Sequence, residues 1–93
     1  MGDFMIIIDD YKMRLNKFRE DMTNLYDALK IDAVKEKLRA DEELTAQDGF
    51  WNDMERSQKV SQEIKHAKDT ISDYEKLERR ADDLATLIEL AED

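Results

Sequence analysis

The chain has 93 residues, of which 42% are charged and 41% apolar, with no proline and no cysteine, and its only glycines are Gly2 and Gly49. That composition excludes a turn-rich β-sandwich or barrel, a disulfide-stapled secreted module and any thiolate chemistry, and it fits long helices. The formal net charge is −9, which opposes coating of nucleic acid, where affinity comes from Lys and Arg displacing counterions.

The acidity is uneven. Residues 1–30 carry six acids and five bases, residues 31–49 six and three, residues 50–80 seven and seven, and residues 81–93 five acids and no base. A partner met at the C-terminal end should therefore be basic. The bland alternative is a solvated face that keeps a small domain soluble. The longest apolar run, residues 4–8, is too short to span a membrane, which takes about 20 residues, and it lacks the preceding Lys or Arg of a signal peptide.

The first element is a helix over about 4–29. Phe4, Ile8, Tyr11, Leu15, Phe18, Met22, Leu25 and Leu29 recur at alternating steps of four and three, a seam with the period of helices packed along their length. Asp3 is placed to cap its start. Met5, Ile6 and Ile7 lie off the seam, either closing the end of the bundle or meeting another surface.

A second helix is expected over about 32–46, with Asp32 as N-cap and Ile31 just outside. Ala33, Val34, Leu38 and Leu44 give a weaker apolar face, and Lys35, Glu36, Lys37, Arg39, Asp41, Glu42 and Glu43 cover the rest. Gln47-Asp48-Gly49 is the one breaker in the chain. Asn52 followed by Glu55 approximates a capping box for a third helix over about 52–91. Phe50 and Trp51, held just outside that start, are expected to plug the end of the bundle; an exposed Trp51 would point to a binding contact instead.

In the third helix Val60, Ile64, Ala67, Ile71 and Tyr74 continue the seam. The next position is Glu78, while Leu77 comes one residue early, and Ala81, Leu84, Ile88 and Ala91 follow the new phase. Two successive steps of three resemble a coiled-coil stammer, so the chain should over-wind, kink or break near 75–82. The C-terminal end has no stop signal and carries Glu89, Glu92 and Asp93 against the helix dipole, which predicts that a longer protein continues beyond it. The resulting fold is all-α: an antiparallel, coiled-coil-like bundle of three main helices, forming one helical domain over 1–93.

Reactive chemistry is sparse. Both glycines stand alone, so no phosphate loop exists; His66 is the only histidine; and adjacent acids such as Glu42-Glu43 and Asp82-Asp83 diverge by about 100° on a helix. No catalytic, cofactor or metal site is expected.

One stretch is less generic. Phe50-Trp51-Asn52-Asp53 followed by Ser57-Gln58-Lys59-Val60-Ser61-Gln62-Glu63 resembles the N-terminal domain of the bacterial release factor 2 family. Leu29-Lys30-Ile31-Asp32, Lys35-Glu36-Lys37-Leu38 and Leu87-Ile88-Glu89-Leu90-Ala91 agree with it, so the resemblance covers about residues 10–93. Positions 47–49 depart from it, because family members often carry proline in this loop. The resemblance implies a cytoplasmic translation terminator that reads UAA and UGA through a Ser-Pro-Phe tripeptide and promotes peptidyl-tRNA hydrolysis through Gly-Gly-Gln. Neither motif occurs in these 93 residues, so no decoding or catalytic residue carries over. What the resemblance leaves is a non-catalytic accessory domain that contacts the ribosome at the stalk base, near ribosomal protein L11. From charge, hydropathy and the sparse chemistry, no cofactor, no direct membrane contact and no nucleic-acid binding by this domain are expected. Asp82, Asp83 and Glu89 are the candidate acidic docking surface, and Phe50, Trp51, Asn52 and Asp53 the motif residues. A reading of another class is a free-standing coiled-coil adaptor or self-association module, which the first seam fits equally well.

Overall fold

A computed structural model describes residues 2–93. It is all-α: α1 spans Gly2–Ala28, α2 Ile31–Thr45 and α3 Met54–Glu92, with a short 3-10 turn, Phe50–Asn52, between α2 and α3. The described residues contain no strand. Two compact units share α3: one comprises Met1–Leu29 and Glu75–Asp93, the other Lys30–Tyr74.

In the first unit α1 runs antiparallel to the second half of α3. Lys12 pairs with Glu92, and Arg19 Nη2 lies 3.3 Å from Asp82 Oδ1, so numbers rise along one helix as they fall along the other. Ile8, Leu15 and Met22 are buried on α1, opposed by Ala81 and Ile88 on α3. Only every seventh residue of the predicted α1 seam is thus fully buried. Phe18 and Leu25 are half-buried, and Phe4, Tyr11 and Leu29 are exposed. Asp3 lies within the first turn of α1 rather than at its cap, and the capping position falls outside the described residues.

In the second unit α2 packs on the first half of α3, and Ile31, Phe50, Ser57, Val60, Ala67 and Tyr74 are buried. The start of α2 differs from the sequence reading. Lys30 precedes it in the left-handed region, φ 54 and ψ 49, with no side-chain cap, and Ile31 is the first helical residue. Lys30 stands where glycine commonly ends a helix, so the chain reverses at a residue that carries no breaker signal. Asp32 sits in the first turn, not at the cap, and Ile31, 1% exposed, is a core residue rather than a flanking one. Ala33 is exposed.

Asp41 is the largest departure. Read as part of the polar cover, it is 2% exposed. It follows Ile31, Val34 and Leu38 at the next seam step, so helical spacing turns it inward. Lys37 Nζ, four residues earlier, donates to Asp41 Oδ1 at 2.8 Å and to Glu63 Oε2 of α3 at 3.2 Å. Lys37 therefore neutralises a buried carboxylate and ties α2 to α3 with one ammonium. Asp41 Oδ2 has no hydrogen-bond partner.

The helix α3 neither ends nor breaks at 75–82; it is continuous from Met54 to Glu92. Val60, Ala67, Tyr74, Ala81 and Ile88 form one buried column at a strict seven-residue interval. Only its large half-buried apolar companions change side. Ile64 and Ile71 follow the column by four residues, Leu77 and Leu84 by three. This switch falls where α3 passes from one unit to the other, so the sequence irregularity marks a change of partner and not a defect in the helix.

The Lys37 ammonium is held above the usual lysine range, first by its hydrogen bond to Asp41 and then by that to Glu63. A base whose folded pKa is raised stabilises the fold below its unfolded value of about 10.4 and loses that contribution as pH climbs through the folded value. Asp41→Leu, which replaces a buried carboxylate by an apolar group of similar size, should leave the melting temperature at pH 7 equal or higher. It should also flatten the decline above about pH 10. Lys37→Met should lower the melting temperature, because the carboxylate then stays buried without a counter-charge. Thermal melts across pH check both; a destabilised Asp41→Leu protein beside an unaffected Lys37→Met protein would contradict this assignment.

Candidate functional site

The segment Gln47–Asp53 is built from successive turns. Gln47 N–H donates to the Leu44 carbonyl at 3.1 Å, Phe50 N–H to Gln47 at 3.2 Å and Asn52 N–H to Gly49 at 3.1 Å. Gly49 has φ 80, a conformation that side chains disfavour, which is why glycine stands at this sharp turn. The cap of α3 lies one residue later than the sequence reading placed it. Asp53 Oδ1 accepts from Arg56 N–H at 3.0 Å, and Asn52 ends the 3-10 turn instead. A carboxylate at that site also complements the helix dipole.

Phe50 and Trp51 divide the work the sequence assigned to both. Phe50 is 4% exposed and fills the interior, whereas Trp51 is 58% exposed. Consecutive residues of a 3-10 turn point about 120° apart, so the two rings cannot both face inward. The Trp51 indole is nonetheless fixed. Its Nε1–H donates to the Thr45 carbonyl at 3.1 Å, one of the carbonyls that the end of α2 leaves without an intrahelical partner. Its ring meets Phe50 edge-on, centroids 4.9 Å apart at 88°, and the Arg56 guanidinium lies 5.8 Å from the Phe50 centroid. With Met54, Ser57, Gln58, Ser61 and Gln62, Trp51 lines a shallow open depression. The motif thus presents an oriented aromatic surface beside uncharged polar groups.

The three acids singled out near the C-terminal end are all exposed. Asp82 and Glu89, seven apart, share one side of α3, and Asp82 is engaged by Arg19. Asp83 is turned about 100° away from Asp82. The three do not converge on one point. They form an acidic ridge that Arg19 already partly neutralises.

The cluster of buried Asp41 with exposed Lys37 and half-buried Glu63 is the group that sequence reasoning missed. Two signals could have found it: Asp41 occupies a seam position, and Lys37 precedes it by four residues. Among the described residues no cluster of His, Asp or Glu has the arrangement of a metal site, and no helix is long and apolar enough to cross a membrane.

Phe50→Ala should cost about 3–5 kcal/mol, as expected for truncating a buried aromatic. Trp51→Ala should cost about 1–2 kcal/mol, the sum of an edge contact and one hydrogen bond. Urea denaturation of the two variants checks the order; a larger loss for Trp51→Ala would overturn the division between them.

Comparison with known proteins gives consistent relatives. Peptide chain release factor 2 of Petrotoga mobilis is 32% identical over 82 residues, covering 88% of this chain and 22% of that protein. Peptide chain release factor 2 of Clostridium perfringens strain SM101 is 38% identical over 90 residues, covering 94% of the chain and 25% of the relative. The same factor from another strain of that species, ATCC 13124, is 40% identical over 83 residues, covering 86% and 23%. No family model matches, and no solved structure matches. The resemblance carried by Phe50–Asp53 and its flanks therefore extends along most of the chain, which is similar to bacterial peptide chain release factor 2 and spans about a quarter of such a protein's length.

Proposed function

We propose that this chain is the N-terminal accessory domain of a translation termination factor of the release factor 2 kind, one functional domain over residues 1–93 that works in the cytoplasm by contact with the ribosome. The similarity to release factor 2 over 86–94% of the chain in the C. perfringens relatives carries this reading. The Gly-Gly-Gln and Ser-Pro-Phe motifs associated with hydrolysis and with reading UAA and UGA are absent from these 93 residues, so both tasks would fall to the rest of a longer protein. The helices would orient that protein and would catalyse nothing themselves.

Electrostatics supports contact at the stalk base near ribosomal protein L11. The ridge of Asp82 and Glu89, with Asp83 beside it, belongs to the most acidic stretch of the chain, and such a surface is complementary to a basic ribosomal protein rather than to bare RNA. Trp51, exposed yet held by Thr45, offers a second contact of lower charge.

The test uses a longer factor that carries this domain. Asp82→Lys, Asp83→Lys and Glu89→Lys combined should slow its association with ribosomes, mainly in on-rate, with the effect shrinking as salt rises. Stopped-flow binding at low salt measures this, with circular dichroism confirming an unchanged helix content. Association at the unaltered rate would reject the acidic ridge as a docking surface.

A further inference from the structure

Of Phe50, Trp51 and Tyr74, the large aromatic residues of the second unit, only Trp51 is exposed. Its ring is held by the edge contact with Phe50 and by the bond from Nε1–H to the Thr45 carbonyl. With that N–H spent, the ring has no donor left for a ligand, and what it offers is π surface. The depression it lines has one more apolar group, exposed Met54; the other lining residues are Ser57, Gln58, Ser61 and Gln62. Their hydroxyl and amide oxygens accept hydrogen bonds and carry no charge. The turn that presents Trp51 is acidic. Residues 47–55 contain Asp48, Asp53 and Glu55 and no base. All three are exposed, and none makes an ion pair among the described residues. At about 100° per residue, Glu55 lies about 60° round α3 from Gln58, Lys59 about 100° and Arg56 about 160°. Arg56 is drawn to the Phe50 ring instead. Lys65, two turns beyond Gln58 on the same face, is paired with Asp69 at 3.5 Å.

We infer that the Trp51 surface takes an arginine side chain of a basic polypeptide, the guanidinium stacked on the indole with Asp48 and Glu55 as its counter-charges. Each property of that group is matched. It is a planar cation, and tryptophan is the best aromatic partner for one. It has five N–H donors and no acceptor, which suits a lining of acceptor oxygens. Its charge suits a turn with three carboxylates and no base. An apolar helix would need anchors at steps of three, four and seven, and the lining supplies only Met54 beside the indole. A nucleobase stacks on tryptophan as well, but its phosphates would meet Asp48, Asp53 and Glu55. The inference rests on the reading of this chain as a domain that contacts a basic protein, and it gives Trp51, rather than the ridge at Asp82 and Glu89, the task of choosing which basic side chain is bound.

Trp51 is the only tryptophan, so its ring resonances report the site directly in an NMR titration of the 93-residue chain. The probes are a capped peptide of alternating glycine and arginine, its lysine counterpart of equal charge, and oligouridylate RNA. The arginine peptide should shift the Trp51 ring and the amides of Ser57, Gln58, Ser61 and Gln62, saturably and with roughly millimolar affinity. The indole N–H should stay protected from exchange by Thr45. The lysine peptide should bind roughly fivefold more weakly, and the RNA should leave the ring unmoved. Trp51→Leu should abolish the preference for arginine at unchanged helix content. Asp48→Asn with Glu55→Gln should weaken the arginine peptide several-fold. The combined Asp82, Asp83 and Glu89 lysine variant should keep the preference. Equal binding of the two peptides, or a preference that survives Trp51→Leu, reduces the effect to general charge attraction and overturns the proposal; so does RNA that moves the ring at lower concentration than the arginine peptide. No ribosome enters this titration, so its failure leaves the release factor reading to the stopped-flow test, and a failure there leaves the arginine preference measurable.

Discussion

The structure depends on one column of side chains. Val60, Ala67, Tyr74, Ala81 and Ile88 recur every seven residues along α3 and are buried throughout. No other element takes part in both units, because α2 belongs to one and α1 to the other. A helix of 39 residues has too little intrinsic stability in water to define a structure by propensity alone; most of it comes from burying an apolar stripe. The ion pairs are secondary. Most join exposed side chains, as Arg39 does with Glu36 and Glu43, and such pairs contribute only tenths of a kcal/mol each.

Polar groups enter the interior at two places, and each is tied locally. Ser57 Oγ donates to the Met54 carbonyl at 3.0 Å within its own helix. Asp41 is held by Lys37, which also reaches Glu63. The second arrangement costs desolvation that an apolar residue would avoid. In exchange it fixes which residue of α2 stands beside which residue of α3, a register that an apolar stripe alone specifies loosely.

The sequence showed the helices and the breaker because periodicity and Gly49 are local signals. It also showed the change at Leu77, but spacing alone could not separate a kink from a change of partner. Burial supplies the change of partner: Tyr74, Ala81 and Ile88 stay in one column while the large apolar companions move. The caps were misplaced for a common reason. Asp3, Asp32 and Asn52 are all good capping types, yet Lys30 in the left-handed region and Asp53 after the 3-10 turn determined where α2 and α3 begin. Trp51 was read with Phe50 as a pair because adjacent aromatic residues look alike in sequence; the tight turn separates them. The acids at 82, 83 and 89 were visible as charge, whereas the engagement of Asp82 by Arg19 joins residues 63 apart and has no local trace.

Each unit depends on the part of the column that α3 supplies to it. Inserting one alanine between Leu77 and Glu78 tests that dependence most directly. It turns Ala81 and Ile88 by about 100° relative to Tyr74 while removing no side chain. Amide hydrogen exchange should then show protection lost through α1 and residues 79–92 and retained in α2 and residues 57–74. Unchanged protection across α1 would contradict the column as the common support of both units.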